Sequence, residues 1–91
     1  LQVSGRSGVP VGAKAVWLNV TSVNPSAESF LSLLPNALAP GQAPTTSNLN
    51  LAPGLVVPNL VLVKLSPTGT VTIYNNSGTV HVLADIVAYL P

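Results

Sequence analysis

The sequence predicts an all-β fold, an Ig-like or Greek-key β-sandwich of about seven strands in which residues 1–91 form a single domain. Prolines and glycines interrupt the chain roughly every 8–12 residues, the spacing of turns in a sandwich or a barrel. Runs rich in β-branched residues lie between these turns. No segment repeats apolar residues with a helical period for long enough to form a helix of about ten residues.

The first full strand is predicted over 14–23, where the side chains alternate in character with a period of two. The two faces of this strand are Val16, Leu18 and Val20 on one side and Trp17, Asn19 and Thr21 on the other. Such alternation is typical of a strand whose two sides meet different surroundings.

Five more strands follow along the chain. They are predicted over 29–35, 46–51, 57–65, 70–76 and 79–90, the last being the longest. The opening Leu-Gln-Val-Ser resembles the end of a strand whose beginning is missing, so the first of the seven strands is expected to be truncated.

The turns and the one long loop have their own composition. Residues 66–69 read Ser-Pro-Thr-Gly, a turn in which proline fixes φ. Residues 75–78 form a second turn, and 36–45 are a loop rich in proline, alanine and glycine.

The stretches 57–65 and 79–90 are apolar on both faces, which is unusual in a sheet with one side in water. Three explanations are open at this point. These strands are central in a sheet, or a second layer covers them, or they contact another subunit.

The charge content is very low. Only 5% of the residues are charged, against about 25% in an average soluble domain. A net charge of +1 excludes a basic surface for nucleic acid, because several cations are needed to neutralise several phosphates. Together with a mean hydropathy of +0.55, this favours an assembling subunit or a module of a larger extracellular protein, with copies of itself or neighbouring domains as partners.

Cysteine and methionine are both absent, which suits an oxidising exterior where both are oxidised. No apolar run reaches the ~18 residues of a membrane span, so no transmembrane segment is expected. The chain starts at Leu1 without an initiator methionine or a signal-peptide pattern, and we interpret it as a processed product or an excised fragment.

Hydrolytic catalysis needs a nucleophile beside a base, or paired carboxylates. The only histidine, His81, is four residues from Asp85 on a predicted strand, which places the two on one face about 13 Å apart. That distance is too long for a base and the group that orients it. We therefore expect no catalytic residues and no enzymatic activity.

No metal or cofactor site is expected either. A zinc site needs clustered histidine and cysteine ligands, which this chain lacks. A calcium site built from Asp85 with amide and carbonyl oxygens is the alternative, but no acidic loop gathers such ligands.

Sugar binding needs an aromatic platform with polar groups beside it. Trp17, Tyr74 and Tyr89, with nearby asparagines, are the candidate ligand-binding residues. The favoured alternative is structural: Trp17 and Phe30 lie in the core, and Tyr89 anchors the last strand through its hydroxyl group.

Asparagines lie within the most hydrophobic stretches of the chain. Those assigned to a structural network with one carboxylate are Asn19, Asn48, Asn50, Asn59 and Asp85. An amide can donate and accept, so we predict a buried or half-buried network that braces the loop 36–45 and the turn at 53–54. Replacing Asn50 or Asn59 with leucine is then expected to destabilise the fold.

Six short motifs occur in order along the chain. They are Gly8-Val9-Pro10, Leu18-Asn19-Val20-Thr21, Ser47-Asn48-Leu49-Asn50, Pro58-Asn59-Leu60-Val61, Val71-Thr72-Ile73-Tyr74-Asn75 and Asp85-Ile86-Val87-Ala88-Tyr89. As an ordered set they resemble a β-rich accessory or repeat domain of secreted and cell-surface proteins of actinobacteria and related bacteria. The chain departs from that pattern in lacking an upstream Leu-Asp-Thr-Arg run and in having Ala88 for glycine and Leu90 for phenylalanine.

The resemblance implies an extracellular or cell-surface location and a role without catalysis. The expected function is a structural or adhesive module that self-assembles through edge strands. The alternative is a carbohydrate-binding accessory module that targets an attached enzyme to cell wall or other polysaccharide.

Overall fold

Six strands in two antiparallel sheets form the fold in the computed structural model, which describes residues 1–6, 8–36, 38–44 and 47–91. The strands are β1 (Ala15–Val23), β2 (Ser29–Leu34), β3 (Leu49–Leu51), β4 (Val57–Lys64), β5 (Thr72–Asn75) and β6 (His81–Leu90). The strand order is β4-β1-β6 in the first sheet and β3-β2-β5 in the second. The all-β prediction is confirmed, since the described residues contain no helix.

The strand positions agree closely with those predicted, and β6 is indeed the longest strand. The predicted strand over 46–51 is shorter, beginning at Leu49, and its residue Thr46 lies outside the described residues. The described part of the chain has six strands rather than about seven. The expected truncated first strand is only an isolated bridge between Gln2 and Thr70.

β1 is the centre of the first sheet and shows why a two-residue period specifies a face. Val16, Leu18 and Val20 are fully buried, whereas Asn19 between them is exposed. The core joins these side chains to those of the second sheet. Its buried members are Val3, Val9, Ala13, Val16, Leu18, Val20, Leu31, Leu33, Leu49, Leu51, Val61, Val63 and Val71.

β4 and β6 flank β1 and are therefore the edge strands of the first sheet. This excludes one explanation for their two apolar faces, namely that they are central strands. Their inward side chains pack on the core, as Val61 and Ile86 do. Their outward side chains are the ones that need another explanation.

Most connections cross from one sheet to the other. Among the strands of the described residues, only β2 and β3 are consecutive in the chain and belong to the same sheet. Two crossing connections are tied together at one end of the molecule, where the amide of Ser26 donates to the carbonyl of Thr79 at 2.9 Å. The amide of Thr79 donates in return to the hydroxyl of Ser26 at 2.8 Å. These bonds satisfy loop backbone groups that no strand pairs.

The start of the chain is held beside the turn that follows β4. The amides of Val3 and Ser4 both donate to the carbonyl of Gly69, at 2.9 and 3.0 Å. The amide of Val71 donates to the carbonyl of Leu1 at 2.9 Å. This pairing places the fully buried Val3 in the core, so residues before β1 contribute to packing.

Candidate functional site

The most unusual surface of the molecule is the side of the first sheet that points away from the core, called here the outer face. The strand register defines it, because residues opposite each other in antiparallel strands share a side. Its three central rows, read from β4 through β1 to β6, are Leu62–Trp17–Ala88, Leu60–Asn19–Asp85 and Pro58–Thr21–Leu83.

Large aliphatic side chains are exposed on this outer face. Leu60, Leu62 and Leu83 expose 53%, 47% and 60% of their surface. Asp85 is the one charged residue in the three rows. Large exposed apolar side chains on one face are typical of a face that another molecule covers.

One margin of the outer face is an open strand edge. β6 pairs with β1 on one side, and no strand of the described residues pairs with its other side. The register shifts between Trp17 and Leu18, which leaves Val87 as the extra residue of a bulge in β6. The strand has ten residues and only two polar ones, His81 and Asp85. A long apolar edge is a template for pairing with another strand.

His81 and Asp85 are both exposed and share the outer face, as the sequence predicts. Their opposite residues on β1 are Val23 and Asn19, so one row of the outer face, that of Thr21 and Leu83, lies between them. Within the described ranges, no group of three or more histidine, cysteine, aspartate or glutamate residues could hold a metal ion. The arrangement gives neither a base with an orienting carboxylate nor a cluster of ligands.

The structure does not bring the three candidate aromatic residues together. Trp17 lies half-buried on the outer face, between Leu62 and Ala88. Tyr74 lies on the far side of the second sheet, because its neighbour Ile73 packs against the core. Tyr89 is opposite Val16 near the end of β6, on the core-facing side of the first sheet.

The expectation that Trp17 and Phe30 lie in the core is wrong. Trp17 and Phe30 are only partly buried, and neither belongs to the core cluster. The ring of Phe30 instead packs against that of Tyr74, with centroids 6.1 Å apart and planes inclined by 34°. The alternation of side chains, not their size, decides the placement of Trp17.

The asparagines divide into two groups. Asn48 and Asn59 join the two sheets, since the Asn59 Nδ2 donates to the carbonyl of Asn48 at 2.7 Å. The Asn48 Oδ1 accepts a hydrogen bond from the backbone amide of Leu33 at 2.7 Å. The backbone amide of Asn48 donates to the carbonyl of Leu31, also at 2.7 Å. These bonds fix the residue before β3 against β2 and against the edge of β4.

The other expected members of the network are exposed, as Asn59 is. Asn50 accepts a 3.3 Å hydrogen bond from the hydroxyl of Ser47 and lies in solvent. Asn19 and Asp85 are opposite each other on the outer face, away from the remaining asparagines. The expectation of one buried network is thus corrected to a smaller link around Asn48.

Replacing Asn48 with alanine should lower the free energy of unfolding by about 1–3 kcal/mol, the cost of leaving a buried amide unpaired. The amide concerned is that of Leu33, a buried residue of β2. Asn50→Ala is the matched control and should change stability by about 0.5 kcal/mol or less, since its side chain is exposed. Urea unfolding of both variants measures the difference. Equal losses of stability in the two variants would show that the hydrogen bond from the Leu33 amide to the Asn48 side chain does not stabilise the fold.

Leu60, Leu62 and Leu83 were not singled out as site residues from the sequence. The signal that indicates them is the two-sided apolarity of 57–65 and 79–90. It becomes specific only when the pairing with β1 shows which side of each strand faces outward.

In the described part of the chain, no helix has the length and apolarity needed to cross a membrane. The outer face and the open edge of β6 are the features of the described residues on which a functional interpretation depends. No protein-family model matches this sequence, and no curated protein or solved structure with which it was compared does so either.

Proposed function

We propose that this domain is a non-catalytic structural or adhesive module of a secreted or cell-surface bacterial protein, and that it associates with copies of itself through its first sheet. The observation that carries the proposal is the combination of an apolar outer face with the open edge of β6. The expected location follows from the absence of cysteine and methionine and from the resemblance of the ordered motifs to domains of exported proteins.

The physical argument has two parts. Burying a leucine fully contributes roughly 1.5–3 kcal/mol, and Leu60, Leu62 and Leu83 each retain about half of their surface to bury. The edge of β6 also presents backbone N–H and C=O groups that are hydrogen-bonded only to water. A neighbouring strand would form hydrogen bonds with them. A second copy of the chain offers both a matching apolar surface and a matching edge.

The low charge supports self-association in preference to a charged partner. The charged residues are Arg6, Lys14, Glu28, Lys64 and Asp85, and the net charge is +1. Two such molecules repel each other weakly, because mutual repulsion depends on net charge. A strongly acidic or basic partner would find few groups to pair with.

Purified protein should show an average mass that rises with concentration in multi-angle light scattering. Leu83→Lys places a charge on the outer face beside the open edge of β6 and should shift association to higher concentration. Ala43→Lys adds the same charge at an exposed loop position and should leave association unchanged. A strictly monomeric wild-type protein at millimolar concentration would overturn the self-association proposed here.

Carbohydrate binding is the second candidate, and one observation favours it. Trp17 lies half-buried on the outer face, one row from the Asn19–Asp85 pair, so a ring, an amide and a carboxylate are adjacent. The same purified protein, incubated with peptidoglycan, chitin, cellulose and starch, decides between the candidates. Retention that Trp17→Ala abolishes would replace self-association as the role of the outer face, whereas no retention on any of them would remove the candidate.

A further inference from the structure

We propose that two copies of this chain pair through antiparallel β6 strands about a two-fold axis at Leu83, so that each His81 lies opposite the partner's Asp85. The proposal rests on the self-association proposed above and deepens it, because it names the strand, the register and the residues in contact. The occupant of the open edge is thus a second copy of the same edge.

Three outward residues of β6 make the edge complementary to itself. His81, Leu83 and Asp85 are opposite Val23, Thr21 and Asn19 of β1, and the register is regular throughout this stretch. All three are exposed. In an antiparallel pair related by a two-fold axis at Leu83, position 81 meets position 85 and the two copies of Leu83 meet each other.

Charge selects this register over its neighbours. With the axis at Asp85, two carboxylates would lie directly opposite, which destabilises a strand pair. With the axis at Ala84, each Asp85 carboxylate would face the partner's Leu83. With the axis at Leu83, an imidazole N–H faces a carboxylate at two equivalent places, and hydrogen bonds of this kind to ionised acceptors are strong.

The bulge at Val87 leads to the same register. Regular pairing is possible only up to Ile86, because the extra residue disrupts the spacing of ladder hydrogen bonds beyond it. An axis at Leu83 pairs positions 81 to 85 of β6 with one another without entering the bulge. An axis at Asp85 would place Leu83 opposite the partner's bulged Val87.

The inward side of β6 also leaves room for the partner. Val82, Ala84 and Ile86 pack against the core but are only partly buried. Pairing in the proposed register sets Val82 against the partner's Ala84, which extends apolar contact on that side. The two first sheets would become one continuous sheet, with Leu83 of both copies at the centre of its outer face.

A charge exchange tests the register. His81→Asp places aspartate opposite aspartate in a pair of identical chains, and Asp85→Lys places lysine opposite histidine. His81→Asp alone should self-associate roughly tenfold more weakly than wild type, the effect of two like-charged cross-strand pairs. Asp85→Lys alone should also self-associate more weakly, because a lysine side chain has no acceptor for the imidazole N–H that faces it. An equimolar mixture of the two variants should form a heterodimer, because aspartate then lies opposite lysine and histidine opposite aspartate.

Native mass spectrometry with one variant ¹⁵N-labelled identifies the heterodimer. Glu28→Lys is the control for Asp85→Lys, since it makes the same change of charge at an exposed site outside β6. If the wild type associates and the variants associate equally well, the register is wrong although self-association stands. If the wild type is monomeric at every concentration, both proposals fail.

Cysteine substitution gives a readout that does not depend on charge. The natural chain has no cysteine, so any disulfide joins the introduced residues. Leu83→Cys should be cross-linked to its partner by oxidised glutathione much faster than Asp85→Cys, because only position 83 lies opposite itself. Faster cross-linking of Asp85→Cys would overturn the register. Circular dichroism of each variant confirms that it is folded.

Discussion

Leu18→Ala should lower the free energy of unfolding by about 2–5 kcal/mol, the range measured for leucine deletions in well-packed cores. Leu18 is fully buried in the middle of β1, the central strand of the first sheet. Its opposite residues are Val61 of β4 and Ile86 of β6, so both neighbouring strands lose a contact. A domain of this size is stable by about 5–14 kcal/mol, which makes the expected loss a large fraction of the total.

Leu60→Ala is the matched control, because it makes the same chemical change on a neighbouring strand. Leu60 lies on the outer face with about half of its surface exposed, and it is opposite Asn19, the residue after Leu18. Its replacement should cost about 0.5 kcal/mol or less in a monomer. Urea unfolding at low protein concentration separates the two effects. Equal losses would mean that the outer face is packed in the monomer as the core is.

Local pattern was sufficient to predict most of the strands. A period of two over 14–23 places Val16 and Trp17 on opposite sides, and the structure confirms this, since only the first is fully buried. The expectation that Trp17 lies in the core rested on side-chain size alone and is wrong. The geometry of the strand backbone fixes the side of the sheet on which each side chain lies. Side-chain size determines only how much free energy its burial would contribute.

Which strands become edges could not be predicted, because pairing is a long-range property. β4 and β6 look like central strands in sequence, yet each pairs with β1 only on one side. The folding of a single chain does not require apolar residues at these outward positions. The proposed self-association would account for that composition, and this is why the proposed function depends on the pairing and not on any motif.

The roles of the asparagines also depend on long-range pairing that the sequence does not reveal. Asn48 and Asn50 are two residues apart, and both stand beside a leucine. Only Asn48 lies where the amide of Leu33 needs an acceptor. That difference arises from the approach of β2, a strand that the loop 36–45 separates from it in the chain.

Gly69→Ala should destabilise the protein more than the same exchange at a glycine with open surroundings, such as Gly54. Gly69 has φ of +79°, a conformation that costs an L-residue roughly 1–2 kcal/mol. A Cβ at this position would also overlap the hydroxyl of Ser4 and lie 2.5 Å from its Cβ. Overpacking of this kind adds about 1–3 kcal/mol. The segment displaced is the one that holds Val3 in the core.

Gly54→Ala separates the two causes, because Gly54 has nearly the same φ, +80°, and nothing within 4 Å of the added Cβ. It should show the backbone cost alone. In a double-mutant cycle, Ser4→Gly should recover the overpacking part of the loss in the Gly69→Ala background, since it removes the atoms that the new Cβ meets. Strict additivity of the two substitutions in urea unfolding would contradict the close contact.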